Sequence, residues 1–249
     1  MDAELWAVAA AIAALAGFVK GAVGFAMPMI MISGMSTFLA PELALALLIM
    51  PTLTSNAWQA LRGGLAAAAA SAKLHWRYIA IVMVFILLSG QLVAVLPASV
   101  LFLVLGVPIV LFALAQLSGW RLSIQPRRRR GAELGIGAFA GFVGGMSGVW
   151  GPPTVMYLTA LDTAKADQMR VQGVVYGLGA VMLTLAHLRS GVLNWDTAPA
   201  SAAMIVPALA GMAAGFAIHD RVDQARFRRL TLVVLIVAGA NLIRRGLMG

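Results

Sequence analysis

The sequence predicts an all-α polytopic membrane protein made of two homologous halves. Three observations predict this fold class: 61% of the 249 residues are hydrophobic, only 11% are charged, and a glycine-rich segment occurs twice. A soluble domain carries about 25% charged residues, so the composition argues against a soluble single domain. A membrane-crossing helix needs about 20 apolar residues, and a chain of this length therefore holds roughly eight membrane-embedded helices.

Long apolar runs define the predicted elements in chain order. Backbone polar groups in hydrocarbon must be hydrogen-bonded within their own segment, and the alternation typical of a barrel is not seen, so each run is predicted to be helical. The runs cover residues 5–40, 43–61, 78–96, 98–118, 134–161, 171–188, 198–218 and 230–243. Asp2 and Glu4 precede the first run where a signal peptide would have basic residues, so we expect that run to stay in the mature protein.

A basic polar stretch divides the chain near its middle. The predicted organisation is a first membrane repeat at residues 1–119, a basic linker at 120–133 and a second membrane repeat at 134–249. The four arginines at 127–130 are interpreted as topology determinants, with a regulatory or lipid-binding role as the alternative.

The two halves share a glycine-rich segment. Residues 16–28 align without gaps on residues 140–152, with seven identical pairs among thirteen. Glycine at this density, followed by Pro28 in one copy and by Pro152 and Pro153 in the other, is expected to break a helix. Broken backbone is tolerated at membrane depth only where protein or a watery cavity satisfies it. Each half is therefore predicted to contain a broken re-entrant helix pair and three transmembrane helices.

The distribution of basic residues favours this re-entrant arrangement. It places fourteen Lys and Arg residues on one side of the membrane and three on the other, whereas full crossing by every segment gives eleven and six. Cytoplasmic loops carry an excess of basic residues, so the first arrangement is preferred, with inverted halves and both termini outside the cytoplasm. Full crossing stays open as the alternative.

Several classes of function are disfavoured by the composition. The net charge of +9 lies in short segments between apolar runs, which is typical of membrane topology and not of a nucleic-acid surface. The chain contains no cysteine, and its three histidines show no metal-ligand spacing, so we predict no metal and no cofactor.

The paired segments at residues 17–28 and 141–153 resemble the duplicated signature of the sulfite exporter TauE/SafE family of membrane permeases. The resemblance extends over essentially the whole chain in length, helix pattern and basic central linker. It implies transport of small anions, often sulfur-containing ones such as sulfite or sulfonates, across the bacterial inner membrane. The first copy departs from the pattern at Lys20, Phe25 and Ala26, where a purer glycine run is expected.

Lys20 is the main candidate for contact with an anion. It is the only basic residue deep inside an apolar run, and a charge at the bilayer centre costs about 3 kcal/mol or more unless it faces a cavity or a partner. The alternative is a lysine whose long stem reaches the membrane interface. The breaks also offer backbone N–H groups to an anion, although small residues equally permit close helix packing. The glycines concerned are Gly21, Gly24, Gly145 and Gly148.

Other polar side chains complete the predicted substrate site. Asn56 and Gln59 are three residues apart and share a helix face, and Gln172 and Tyr176 are four apart on a later helix. Ser147 and Trp150, in the second break, offer a hydroxyl and an indole N–H. The alternatives are hydrogen bonds between neighbouring helices and, for Trp150, an interfacial anchor.

The sequence thus predicts a secondary transporter, not an enzyme. A small anion is expected to be held between the two glycine-rich breaks and moved by alternating access. An intramembrane enzyme or a non-transporting assembly factor is the alternative, although no His-Glu metal motif or activated nucleophile is present. The acidic residues near the membrane are expected at span ends, which leaves no buried carboxylate for a proton relay; they are Glu42, Asp162, Asp167 and Asp196. The substrate, the direction, the coupling ion (proton or sodium) and homo-oligomerisation stay open.

Overall fold

The computed structural model describes residues 2–89, 98–119, 123–147, 151–189 and 191–248. The described residues form helices joined by short turns and contain no β-strand. The helices before the basic stretch are α1 Ala3–Val23, α2 Met27–Met35, α3 Pro41–Leu61, α4 Leu65–Leu74, α5 Trp76–Ser89 and α6 Ala98–Leu117. After a 3₁₀ turn at Pro126–Arg128 come α7 Arg129–Ser147, α8 Gly151–Ala160, α9 Lys165–Arg189, α10 Ala198–Ala203, α11 Ile205–Arg221 and α12 Gln224–Met248.

Several helices meet the length and hydropathy requirements for crossing a membrane. Among the described residues they are Ala3–Val23, Lys165–Arg189, Ala198–Arg221 and Gln224–Met248, and the bent pair α4 and α5 is a fifth candidate. The sequence prediction of an all-helical chain with several helices capable of crossing a membrane is confirmed for the described residues.

The first glycine-rich segment contains a full-length helix followed by a break. α1 has 21 residues, which corresponds to roughly 30 Å, and it ends where Gly24 adopts a φ of 90° and donates its N–H to the Lys20 carbonyl. Ala26, with a φ of 75°, precedes α2, and Pro28 lies in the first turn of that helix. The helix break predicted in residues 16–28 is therefore present at residues 24–26. Because α1 alone is long enough to span the bilayer, the re-entrant path stays a prediction.

The segment between the second and third apolar runs differs from the sequence prediction. Residues 62–77 were expected to connect two spans, but α4 occupies Leu65–Leu74. The reason is local, because this stretch is rich in alanine, which has the highest helix propensity. α4 and α5 form a 78° bend, with His75 between them.

One compact unit consists of Met1–Ala68 and Gln172–Asp223. In it α1 packs along α11, while α2 and α10 both pack on α3. Its core combines small side chains of α1 and α11 with methionines of α2 and aliphatic residues of α3. The members with no exposed surface are Ala9, Ala13, Ala16, Met27, Met31, Met35, Ala44, Leu47 and Ala208.

Glycines allow α1 and α11 to approach until their backbones touch. A Cβ atom at Gly17 would lie 1.9 Å from the Ala208 carbonyl oxygen, and one at Gly211 would lie 1.9 Å from the Ala14 carbonyl oxygen. Gly21 and Gly215, each four residues further on, make equally close contacts with the opposite backbone. The pair is a small-xxx-small helix contact of the kind that drives association in lipid.

The second compact unit consists of Ala69–Val171 and Gln224–Gly249. Here α5 packs along α7, α6 packs along α12, and α8 contacts α6, α7 and α12. Gly141 of α7 is the contact point with α5, because a Cβ atom there would lie 2.5 Å from the Val82 carbonyl oxygen. Each unit therefore takes helices from both sides of the basic linker.

Candidate functional site

Lys20 lies in the last turn of α1 and is enclosed by neutral groups. The residue is 1% exposed, and its ammonium Nζ donates a hydrogen bond to Asn56 Oδ1 at 2.5 Å. The same Nζ lies 5.7 Å from the centre of the Tyr176 ring, a cation–π distance. Within the described part of the chain, Lys20 forms no salt bridge. The buried Lys20 amine is thus held by an amide oxygen and an aromatic face.

Asn56 is fixed on both sides by its hydrogen bonds. Its Oδ1 accepts from Lys20, and its Nδ2 donates to the Tyr176 backbone carbonyl at 3.2 Å. Asn56 is 1% exposed, so both bonds are shielded from solvent. Since each amide atom has a definite partner, Asn56 joins the end of α1 to the middle of α9 through α3.

Gln59, one turn further along α3, connects the helix break to α9. Its Nε2 donates to the Gly24 carbonyl at 3.0 Å, and the Gln172 Oε1 lies 3.5 Å from the same nitrogen. Gln172 has no exposed surface, and its Nε2 donor has no hydrogen-bond partner among the described residues. Thr52, also buried on α3, likewise has an unpartnered hydroxyl. Two buried polar groups of α3 and α9 are therefore without a partner among the described residues.

Glycines on α9 bring these polar faces together. A Cβ atom at Gly173 would lie 2.4 Å from the Ala60 nitrogen of α3, so no other residue permits this approach without a shift of the backbone. A Cβ atom added at Gly177, one turn later, would lie 3.8 Å from the Asn56 Cβ, which is an ordinary van der Waals contact. Lys20, Asn56, Gln59, Gln172 and Tyr176 are hereafter called the Lys20 cluster.

The structure brings together most of the site residues predicted in the first unit. The five members of the Lys20 cluster and Gly24 meet through direct contacts. Gly21 requires a correction: it was grouped with the helix break, but it lies inside α1 and packs against Met212 and Gly215 of α11. Close helix packing, the alternative interpretation given for these glycines, is therefore the role of Gly21.

The second glycine-rich segment is described only in part. α7 ends at Ser147 and α8 begins at Gly151, with Pro152 and Pro153 in the first turn of α8. Gly148 and Trp150 lie outside the described residues, and for Gly145 and Ser147 only the helical backbone of α7 is described. Their predicted contact with substrate stays a prediction.

A buried carboxylate corrects one expectation from the sequence. Glu133, assigned to the end of the polar linker, is 4% exposed and lies in the second turn of α7. Its Oε1 accepts hydrogen bonds from Arg129 Nε at 2.9 Å and from the Tyr157 hydroxyl at 3.2 Å. The Tyr157 ring stacks on Tyr78 at 4.2 Å between ring centres. The four-residue spacing of Arg129 and Glu133 was the available signal for this pair.

Arg129 also contacts the bend between α4 and α5. Its Nη2 donates a hydrogen bond to the Leu74 carbonyl at 3.1 Å. Leu74 is the last residue of α4, where backbone carbonyls lack partners within the helix. His75, at the bend, is 3% exposed and meets the Tyr157 ring edge-on at 6.1 Å. Glu133 is therefore part of a structural network at the bend and is not an isolated charge.

Nearly the whole chain matches a known protein family. The family model described as sulfite exporter TauE/SafE matches residues 9–242, which is nearly the entire chain and includes the whole Lys20 cluster. The searches of curated proteins and of solved structures found no match.

Proposed function

The chain belongs to the sulfite exporter TauE/SafE family, and we propose that it carries small sulfur-containing oxyanions or organosulfonates across the membrane and binds them at the Lys20 cluster. Membership agrees with the resemblance found in the glycine-rich segments, and it makes the protein a multi-pass membrane transporter of an anion-exporter family. It also favours transport over the alternatives of an intramembrane enzyme and an assembly factor. We further propose the bacterial inner membrane as its location.

The burial of Lys20 without a salt-bridge partner among the described residues is the observation that carries this proposal. An ammonium group removed from water is costly unless it is paired, and the partners seen here, Asn56 and Tyr176, are both neutral. A small anion would compensate the charge of the protonated amine, for which no described residue supplies a carboxylate. The same charge, together with hydrogen-bond donors, would select oxyanions over cations and neutral solutes.

The neutral groups of the cluster support the same substrate class. Gln172 Nε2 is a buried donor without a partner among the described residues, which is an arrangement expected where a ligand oxygen accepts a hydrogen bond. Asn56 and Gln59 hold Lys20 and the Gly24 carbonyl in place, so the binding groups are fixed before a ligand arrives. A compact oxyanion with several acceptor oxygens suits one ammonium and one amide donor.

The helix break beside the cluster offers a means of movement. Residues 24–26 contain two left-handed backbone positions, and Gln59 is bonded to the break through the Gly24 carbonyl. We propose that the site opens to one side of the membrane at a time, with the backbone at the break changing conformation between states.

The order of the helices supports an internal duplication as part of the proposal. A long helix, a short helix, a long helix, two consecutive shorter helices and a further long helix occur in the same order from α1 to α6 and from α7 to α12. The packing partners correspond as well, since α1 packs along α11 in one unit and α7 packs along α5 in the other. We propose repeats at residues 1–119 and 134–249, joined by the linker at 120–133.

Flux into proteoliposomes tests the function. Purified full-length protein is expected to move sulfite, thiosulfate or a small sulfonate at least about tenfold faster than a monocarboxylate of similar size, and faster than protein-free vesicles. The reason is that an anion with several acceptor oxygens can contact the fixed charge and the amide donor of the site at the same time. Folded protein that moves none of these anions, or that moves choline equally well, would contradict the proposal.

A further inference from the structure

A basic cavity lies where the bend after α4 meets the start of α7. It has a volume of about 360 Å³ and is lined by Lys73, Leu74, Trp76, Arg77, Pro126, Arg129, Arg130 and Glu133. Four of these side chains are cationic. Glu133 is engaged by Arg129 and Tyr157, so the cavity keeps a strong excess of positive charge. We propose that this cavity binds the phosphate headgroup of an anionic phospholipid, a role separate from anion transport.

Three of the four cations around the cavity are available to a ligand. Lys73, Arg77 and Arg130 are exposed and form no salt bridge with any described residue. Arg129 is oriented by Glu133 and by the Leu74 carbonyl, so one guanidinium is already fixed at the wall. A fixed arginine beside flexible cations is an arrangement that suits a phosphate group.

The apolar rim indicates a lipid and not a soluble phosphate. Trp76 is 58% exposed, Leu74 is 60% exposed, and the Arg77 guanidinium lies 5.5 Å from the centre of the Trp76 ring. Exposed apolar side chains continue along α5 at Val84, Leu87 and Leu88. A ligand with an anionic head and an acyl chain would contact both surfaces, and tryptophan is enriched at the level of lipid headgroups.

Lipid retention by the purified full-length protein tests the proposal. Native mass spectrometry in a neutral detergent would compare phosphatidylglycerol with phosphatidylcholine at equal concentration. We expect preferential retention of phosphatidylglycerol, weakened by roughly tenfold or more in Arg77→Gln/Arg130→Gln, because each basic residue near an anionic headgroup adds a several-fold attraction. Both side chains are exposed, and the thermal unfolding temperature of the variant checks that it is folded.

A matched variant separates the cavity from general surface charge. Arg127→Gln/Arg128→Gln removes the same charge from two exposed residues that line a different cavity, and it is expected to retain phosphatidylglycerol like the parent. Trp76→Gln should weaken lipid retention while leaving every cation in place. Equal loss in both double variants, or no preference for phosphatidylglycerol in the parent, would overturn the proposal. Displacement by millimolar inorganic phosphate with no effect of Trp76→Gln would also overturn it, in favour of a soluble phosphate ligand.

Discussion

Lys20→Met is expected to abolish sulfite transport while the protein stays folded. The substitution keeps an unbranched side chain of similar length but removes the charge proposed to face the anion. Truncating one member of a buried charge pair costs about 2 to 5 kcal/mol, so sulfite affinity should fall by roughly 30-fold or more. Flux in proteoliposomes and equilibrium binding to the detergent-solubilised protein measure the two effects.

Stability distinguishes this loss from misfolding. Removing a buried charge relieves its desolvation cost, whereas Asn56 Oδ1 loses a donor, and these opposing effects leave the unfolding temperature little changed. Lys165→Met, at the first residue of α9, serves as the control that removes a lysine outside the Lys20 cluster. Wild-type flux and affinity in Lys20→Met would show that the Lys20 charge does not bind the substrate.

Gly17→Ala is expected to cause a large loss of stability in the first unit. The added methyl group would lie 1.9 Å from the Ala208 carbonyl oxygen, and this neighbour is backbone that cannot rotate away. Overpacking of this kind costs about 1 to 3 kcal/mol and occasionally more. We expect at least about 3 kcal/mol here, measured as thermal or denaturant-induced unfolding of the full-length protein in detergent.

Gly135→Ala provides the matched control for this prediction. Gly135 lies inside α7 with no heavy atom within 4 Å of the added Cβ position. Alanine is the better helix former by about 1 kcal/mol, so this variant should be as stable as the parent or slightly more stable. Equal unfolding temperatures for the two variants would mean that α1 and α11 do not pack as closely as described.

The residues of the Lys20 cluster could be predicted because their signals are local. A lysine in an apolar run requires a partner whatever the fold, and spacings of three and four residues place Asn56 with Gln59 and Gln172 with Tyr176. The break at Gly24 follows from the conformational freedom of glycine and from Pro28 directly after it. Each signal lies within one helix or one turn.

The remaining features depend on contacts distant in sequence. Gly17 and Gly21 pack against residues about 190 positions later, and no local pattern distinguishes such glycines from those that break a helix. Glu133 was assigned to the polar linker because its neighbours are charged, but in the structure it is buried and accepts a hydrogen bond from Tyr157, which lies 24 residues later. The compact units combine helices from both halves of the chain, which local periodicity does not encode.

The position of the bound anion tests the central claim most directly. Selenite is a heavier analogue of sulfite whose selenium can be located by anomalous X-ray scattering in crystals of the full-length protein. If the anion binds at the Lys20 cluster, a selenium peak is expected within about 4 Å of Lys20 Nζ, which is the contact distance of a charge pair. The peak should be absent in Lys20→Met. A selenium peak elsewhere in the protein, unaffected by Lys20→Met, would contradict it.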